Sequence, residues 1–212
     1  MSKSRPRILR VLKKRGGLTV DGIARAVSLA PMTVRQHLSI LERDGLVTSR
    51  SVRRAIGRPH LVYRLTEKGL ESFPRSYPLL VERILQEVQS LDSRELEGLT
   101  SEQRLDLLFQ NMADRLAESC RSEIEGKSLE EKVAWVADLL EEEGGITEWN
   151  EVRNGYQIID YNCPFLKVAD TYGQLCNFHR RFLSQLFGLS VVRLSSIADG
   201  GNFCCYHIPL PR

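Results

Sequence analysis

Residues 31–47 read Pro31-Met32-Thr33-Val34-Arg35-Gln36-His37-Leu38-Ser39-Ile40-Leu41-Glu42-Arg43-Asp44-Gly45-Leu46-Val47. Val34, Leu38 and Leu41 recur at four- and three-residue steps, the period of one buried helical stripe. Pro31 suits a first turn, where its missing N–H costs nothing, and Gly45 ends the element. With the stripe turned inward, Met32, Gln36, Ser39 and Arg43 fall on the far side, flanked by Arg35. The segment is therefore a short helix that keeps a polar, cationic face free of its own core.

Its neighbours complete a recognisable order. Upstream, Ile8, Leu9, Val11 and Leu12 stripe a helix from about Arg5 to Arg15, stopped by Gly16-Gly17. Thr19 can cap a second helix carrying Val20, Ile23, Ala24 and Val27, and Ser28 to Pro31 turns the chain into the third. Downstream, Leu46 to Arg54 and His60 to Leu65 read as two strands joined around Ala55-Ile56-Gly57-Arg58-Pro59. Three short helices followed by a hairpin make a winged helix-turn-helix, with a boundary near residue 73.

Charge separates the chain in the same place. The net charge of +3 conceals 16 Lys and Arg against 4 Asp and Glu in residues 1–68, and 14 against 23 in the rest. A head so basic is suited to a polyanion, and the remainder is not. The run 31–38, the phrase Leu41-Glu42-Arg43-Asp44-Gly45-Leu46-Val47, and Gly57-Arg58-Pro59 leading to Tyr63-Arg64-Leu65-Thr66 together resemble bacterial winged-helix regulators. Double-stranded DNA is then the expected partner. Arg35 and Gln36 are candidate base readers, because Arg can bridge guanine O6/N7 and Gln adenine N6/N7. Thr33 and Ser39 are candidate phosphate contacts, Arg43 sits at the distal end, and Arg53, Arg54 and Arg58 line the wing. His37 lies nearer the core edge.

Residues 74–98 are expected to form a linker and dimerisation helix. Tyr77, Leu80, Val81, Ile84, Leu85, Val88 and Leu91 recur at three- and four-residue steps, and proteins of this kind commonly bind two half-sites as homodimers. Residues 99–212 are expected to fold as an α+β domain. Amphipathic helices span 101–122 and 128–143, a hairpin turns at Asn154-Gly155, and a helix follows over 171–187. A second hairpin turns at Asp199-Gly200-Gly201, and the paired hairpins can share one sheet.

Several classes are disfavoured. No apolar run approaches the roughly 20 residues of a membrane span, and the basic amino terminus lacks the apolar core of a secretory signal. A cytoplasmic, nucleoid-associated protein is expected. Phosphate-loop, zincin and serine-elbow motifs are missing, so no enzyme is expected; Cys176 and His179 alone suggest a nucleophile and base.

The five cysteines, Cys120, Cys163, Cys176, Cys204 and Cys205, form no zinc-ribbon pair and no even disulfide set. Twelve residues separate Cys163 from Cys176, and twenty-seven separate Cys176 from Cys204. A winged helix followed by Cys-x12-Cys-x27-Cys resembles the repressors of the suf operon, which encodes iron–sulfur cluster assembly. That resemblance implies a cluster, of 4Fe–4S type, on Cys163, Cys176 and Cys204. Thiolates are soft donors that suit such clusters, which usually take four protein ligands. His179, one turn beyond Cys176, is the candidate fourth ligand; strand alternation turns Cys205 away from Cys204, and Cys120 reads as a buried apolar residue. The alternative reading is a winged-helix regulator sensing thiol oxidation, zinc or an apolar effector, through Cys204-Cys205 or Phe178, Phe182 and Phe187.

Overall fold

The stripes of the first three helices find their partners within the first 74 residues. The structure, a computed structural model, describes residues 4–53 and 59–211 and divides into two units, Met1–Pro74 and Arg75–Arg212. In the first, α1 (Ser4–Arg15) buries Ile8 and Leu12. After the short strand β1 (Leu18–Thr19), α2 (Val20–Val27) buries Ile23, Ala24 and Val27. The Thr19 hydroxyl caps α2 by accepting the Gly22 N–H at 3.2 Å. Helix α3 (Pro31–Arg43) adds Val34, Leu38 and Leu41, and Val47 and Tyr63 close the core from β2 (Val47–Val52) and β3 (His60–Leu65).

The sheet runs β1-β3-β2, antiparallel throughout, with Leu18 opposite Tyr63 and Val47 opposite Leu65. Strand β1 is too short to announce itself by alternation; it exists because the chain entering α2 lies along β3. Gly17 allows that approach, since a Cβ there would stand 2.6 Å from Arg64 Nε. A one-turn helix, α4 (Glu67–Glu71), then packs under the hairpin, capped by the Thr66 hydroxyl, which also donates to the Gly45 carbonyl at 2.6 Å.

The second unit begins with α5 (Tyr77–Ser90) and a 3-10 turn (Ser93–Leu96). Next come α6 (Ser101–Ser119), α7 (Arg121–Ile124) and α8 (Leu129–Glu142), α6 and α8 each opened by a capping box. The hairpin β4 (Thr147–Val152) and β5 (Gly155–Asp160) leads to α9 (Leu166–Ala169) and α10 (Gln174–Phe187). Strands β6 (Val192–Ser195) and β7 (Cys204–Pro209) complete one four-stranded antiparallel sheet, ordered β4-β5-β7-β6. The fold is therefore α+β, as expected. One face of the sheet, with Ile158, Tyr206 and Ile208, shares a core with Phe109, Met112, Val136, Phe165, Phe178 and Phe182. Gly155, at φ +143°, cannot be replaced cheaply: a Cβ would stand 2.0 Å from the Ile208 carbonyl on β7.

Two boundaries differ from expectation. The helix expected over 171–187 starts only at Gln174, with the separate turn α9 before it. Helix α5, assigned from its stripe to a linker, packs within the second unit, where Leu80 joins the core. Glu87 is 2% exposed and paired with Arg115 Nε at 3.0 Å, and Arg83 pairs with Glu143. Val81, Leu85 and Val88 remain exposed, and Val81 and Leu85 line an apolar trough of about 590 Å³ with Tyr77 and Pro78. Among the described residues, no helix is long and apolar enough to cross a membrane.

Candidate DNA interface and cysteine site

Helix α3 presents the face its sequence implies. Val34, Leu38 and Leu41 are at most 1% exposed, whereas Met32, Arg35, Gln36, Ser39 and Arg43 are exposed. Thr33 and His37 are half-buried at the margins. Arg43 is drawn toward Asp44 at 3.7 Å, while Arg35 makes no ion pair among the described residues and lies close enough to influence the buried Tyr63 hydroxyl. On the wing, Arg53 is exposed just beyond β2; Arg54 and Arg58 lie outside the described residues. Sequence reasoning missed Arg50 and Arg64, both exposed on the strands. The signal was present: Thr48 faces Arg64 across the ladder and Arg50 faces Val62, so counting by twos outward from buried Val47 assigns both arginines to the outer face.

The cysteines divide into two groups. Cys120 is buried in the core, as its helical position suggests, and Cys205 is buried on the sheet face opposite Cys204. Cys163, in the loop after β5, Cys176, in the first turn of α10, and Cys204, at the start of β7, are each half-buried and pack against the same core. Pairing of β5 with β7 sets Asp160 opposite Cys204, which carries the Cys163 loop to the start of β7. Burial pushes the Cys163 thiol up to about 12, with Cys204, Asp160 and Cys176 adding to the rise. Burial pushes Cys204 up to about 11, Asp160 and Cys176 again contributing while Arg193 opposes.

Two sulfurs already receive backbone donors: the Ile197 N–H points at Cys204 Sγ, with nitrogen and sulfur 3.4 Å apart, and the Phe165 N–H lowers the Cys163 thiol in the same way. Arg193 Nη1 and Ser196 Oγ are buried without a partner. His179 is stacked on Phe165 at 6.0 Å between ring centres and meets Phe178 edge-on at 5.1 Å. Desolvation pulls its pKa down to about 4, with Glu143 opposing and Arg83 assisting, so it is neutral near pH 7. Among the described residues, no group of three or more His, Cys, Asp or Glu side chains is placed to hold a single metal ion. Phe178 and Phe182, offered as an effector pocket by the alternative reading, are core residues at 2% and 1% exposure.

Residues 1–48 match the family model described as winged helix-turn-helix DNA-binding. The amino-terminal unit is a winged helix-turn-helix DNA-binding domain. Bacillus subtilis PadR, solved in complex with operator DNA, aligns over 57% of this chain and 73% of its own at 18% identity, with a TM-score of 0.30. A superposition that loose carries no argument about ligand or assembly. No curated protein matches the chain.

The exposed polar face of α3 has the groups that can read a major groove, and exposed arginines on strands of this kind are suited to phosphates. The cysteine site has a different chemistry. Thiols held up by burial stay protonated near neutral pH and are poor nucleophiles, yet backbone N–H groups aimed at sulfur favour the thiolate once a cation replaces the proton. Among the described residues, Arg193 Nη1 and the Ser196 hydroxyl leave buried donor capacity unfilled in this part of the second unit.

Proposed function

We propose that this chain is a homodimeric transcription repressor whose DNA affinity is set by an iron–sulfur cluster on Cys163, Cys176 and Cys204, and that it controls cluster-assembly genes. The observation that carries the reading is that three half-buried cysteines, drawn from a loop, a helix and a strand, pack against one core, with backbone N–H groups on two of their sulfurs. Bound there, the cluster supplies an oxygen- and chelator-sensitive bond among three segments of chain. The protein's own part is to exclude water from the thiols, to donate to their sulfurs, and to offer Arg193 Nη1 as a buried cationic donor beside Cys204. His179, neutral and half-buried against the Phe165 and Phe178 rings, carries no proton that a ligand role would have to remove. Clamping loop, helix and strand together is the physical route by which loading changes the protein. By its resemblance to suf repressors, the loaded form holds the operator and loss of the cluster releases it.

The dimer rests on α5, whose exposed Val81, Leu85 and Val88 make a stripe that an identical helix can cover: antiparallel about an axis between Ile84 and Leu85, each Val81 meets the partner's Val88. The thiol-switch alternative is less well served, because Cys204 and Cys205 point to opposite faces of the sheet. Anaerobic reconstitution with ferrous iron and sulfide tests the proposal. Absorbance in the sulfur-to-iron charge-transfer region that disappears in Cys163→Ser and Cys204→Ser is expected; a colourless wild-type protein defeats it.

A further inference from the structure

The loop carrying Cys163 is held from one side by two consecutive residues at the start of the second unit. Arg75 Nη1 donates to Asn162 Oδ1 at 3.0 Å and to the carbonyl of Cys163 itself at 2.9 Å. The next residue, Ser76, donates its N–H to the Pro164 carbonyl at 3.2 Å and its hydroxyl to the Glu143 carbonyl at 2.6 Å. Asn162 and Pro164 flank Cys163, so residues 75 and 76 grip all three residues of that segment. The far end of the grip is rigid. Asn162 is fully buried, donates through Nδ2 to the Gly144 carbonyl at 2.7 Å, and donates its N–H to Asp160 Oδ1 at 3.0 Å. The same carboxylate oxygen receives the Ile146 N–H at 2.8 Å.

Arg75 is also where the two units join: the chain passes from Arg75 through Pro74 into the winged-helix domain. We propose that Arg75 is a positioning residue for Cys163, and that through this contact the state of the cysteine site is passed to the chain entering the DNA-binding domain; the inference rests on Cys163 being a ligand. The physical argument is local. Bringing the Cys163 sulfur to a group shared with Cys176 and Cys204 turns the Cys163 backbone, and its carbonyl turns with it. One guanidinium nitrogen serves both that carbonyl and Asn162, so a shift that lengthens one bond strains the other. Arg75 and Ser76 must then follow the loop or release it. Pro74, whose ring fixes its φ, is the first residue of the amino-terminal unit that such a displacement reaches along the chain.

The test uses the full-length protein, cluster-free and loaded anaerobically with ferrous iron and sulfide, as wild type, Arg75→Ala and Arg75→Lys. DNA affinity is measured on a duplex selected by the wild-type protein from a random library. Arg75→Ala is expected to load, to bleach in EDTA about tenfold faster because two bonds to a charged donor are gone, and to bind DNA with nearly the same affinity loaded or free. Its cluster-free affinity stays at the wild-type value. Arg75→Lys restores most of the response, since an ammonium can donate to both acceptors. A purely structural Arg75 gives an alanine variant with a lower melting temperature and an unchanged loaded-to-free ratio, and that result overturns the proposal. Hydrogen exchange in the wild type needs no variant: the Ser76 amide is expected to change its rate severalfold on loading, and an unchanged rate also overturns it. Failure of the underlying reading looks different, because the wild-type protein then stays colourless.

Discussion

Replacing Arg50 and Arg53 together by Gln tests whether the wing meets the DNA backbone. Both are exposed, one on β2 and the other just beyond it, and neither makes an ion pair among the described residues. Two free guanidinium groups that neutralise two phosphates release two condensed counterions. The slope of log K against log salt should then become shallower by about 1.8. Over a fourfold rise in salt, say from 50 to 200 mM, wild-type affinity should fall about 12-fold further than that of the double variant. Fluorescence anisotropy on a labelled duplex across that range reads the slope directly. The base preference obtained by selection should stay unchanged, because phosphate contacts carry no sequence information. Parallel salt plots for the two proteins would refute the reasoning and place the wing away from the backbone. Neither arginine is buried, so melting temperature is expected to move little, and the variant isolates the electrostatic contribution.

Arg35→Ala, on the exposed face of α3, should cost about 1–3 kcal/mol on the preferred duplex and relax selection at one base pair, read by competition against single-base variants; a uniform loss on every sequence would reassign Arg35 to phosphate. Leu85→Glu, set in the middle of the α5 stripe and 58% exposed, should yield a monomer in light scattering with its melting temperature preserved; an unchanged dimer moves the interface elsewhere. In cluster-free protein at pH 8, Cys163 and Cys204 should alkylate with iodoacetamide on the order of 10² to 10³ times more slowly than in denaturant, because burial lifts their thiols to about 12 and about 11 and thins the thiolate. Rates equal to the denatured control would show those sulfurs to be open to solvent. His179, with its pKa down at about 4, binds no proton in the folded cluster-free protein where the unfolded chain already does. Stability should therefore be complete above pH 6.5 and decline as pH falls toward 4. His179→Phe should flatten that part of the profile in chemical denaturation, and an identical decline would assign the acid sensitivity to another group.

Much of the molecule was legible from local pattern. Val34, Leu38 and Leu41 bury as their spacing requires, and the polar face of α3 follows from that without any tertiary knowledge. The β4–β5 hairpin was legible, but its turn falls on Arg153-Asn154, one residue earlier than expected, with Gly155, already on β5, paired to Val152. Less legible were short elements that exist only through their neighbours: β1, formed by lying along β3, and α4, held under the wing. Arg50 and Arg64 were legible from strand alternation, which sets both on the outer face.

By itself, the sequence determined a basic three-helix head with a hairpin and an acidic α+β remainder, because periodicity, caps and turn residues act over a few neighbouring residues. Only the tertiary structure decided which cysteines share an environment. That depends on β7 lying between β5 and β6, a long-range pairing that sets Cys204 opposite Asp160. It also decided where α5 belongs. The same stripe of Leu80, Val81, Leu85 and Val88 would suit a free linker, but Ser76 and Arg75 bond to Pro164 and Cys163, nearly ninety residues away. An apolar period states that a helix has a face to bury, and the chain's path through space states against what.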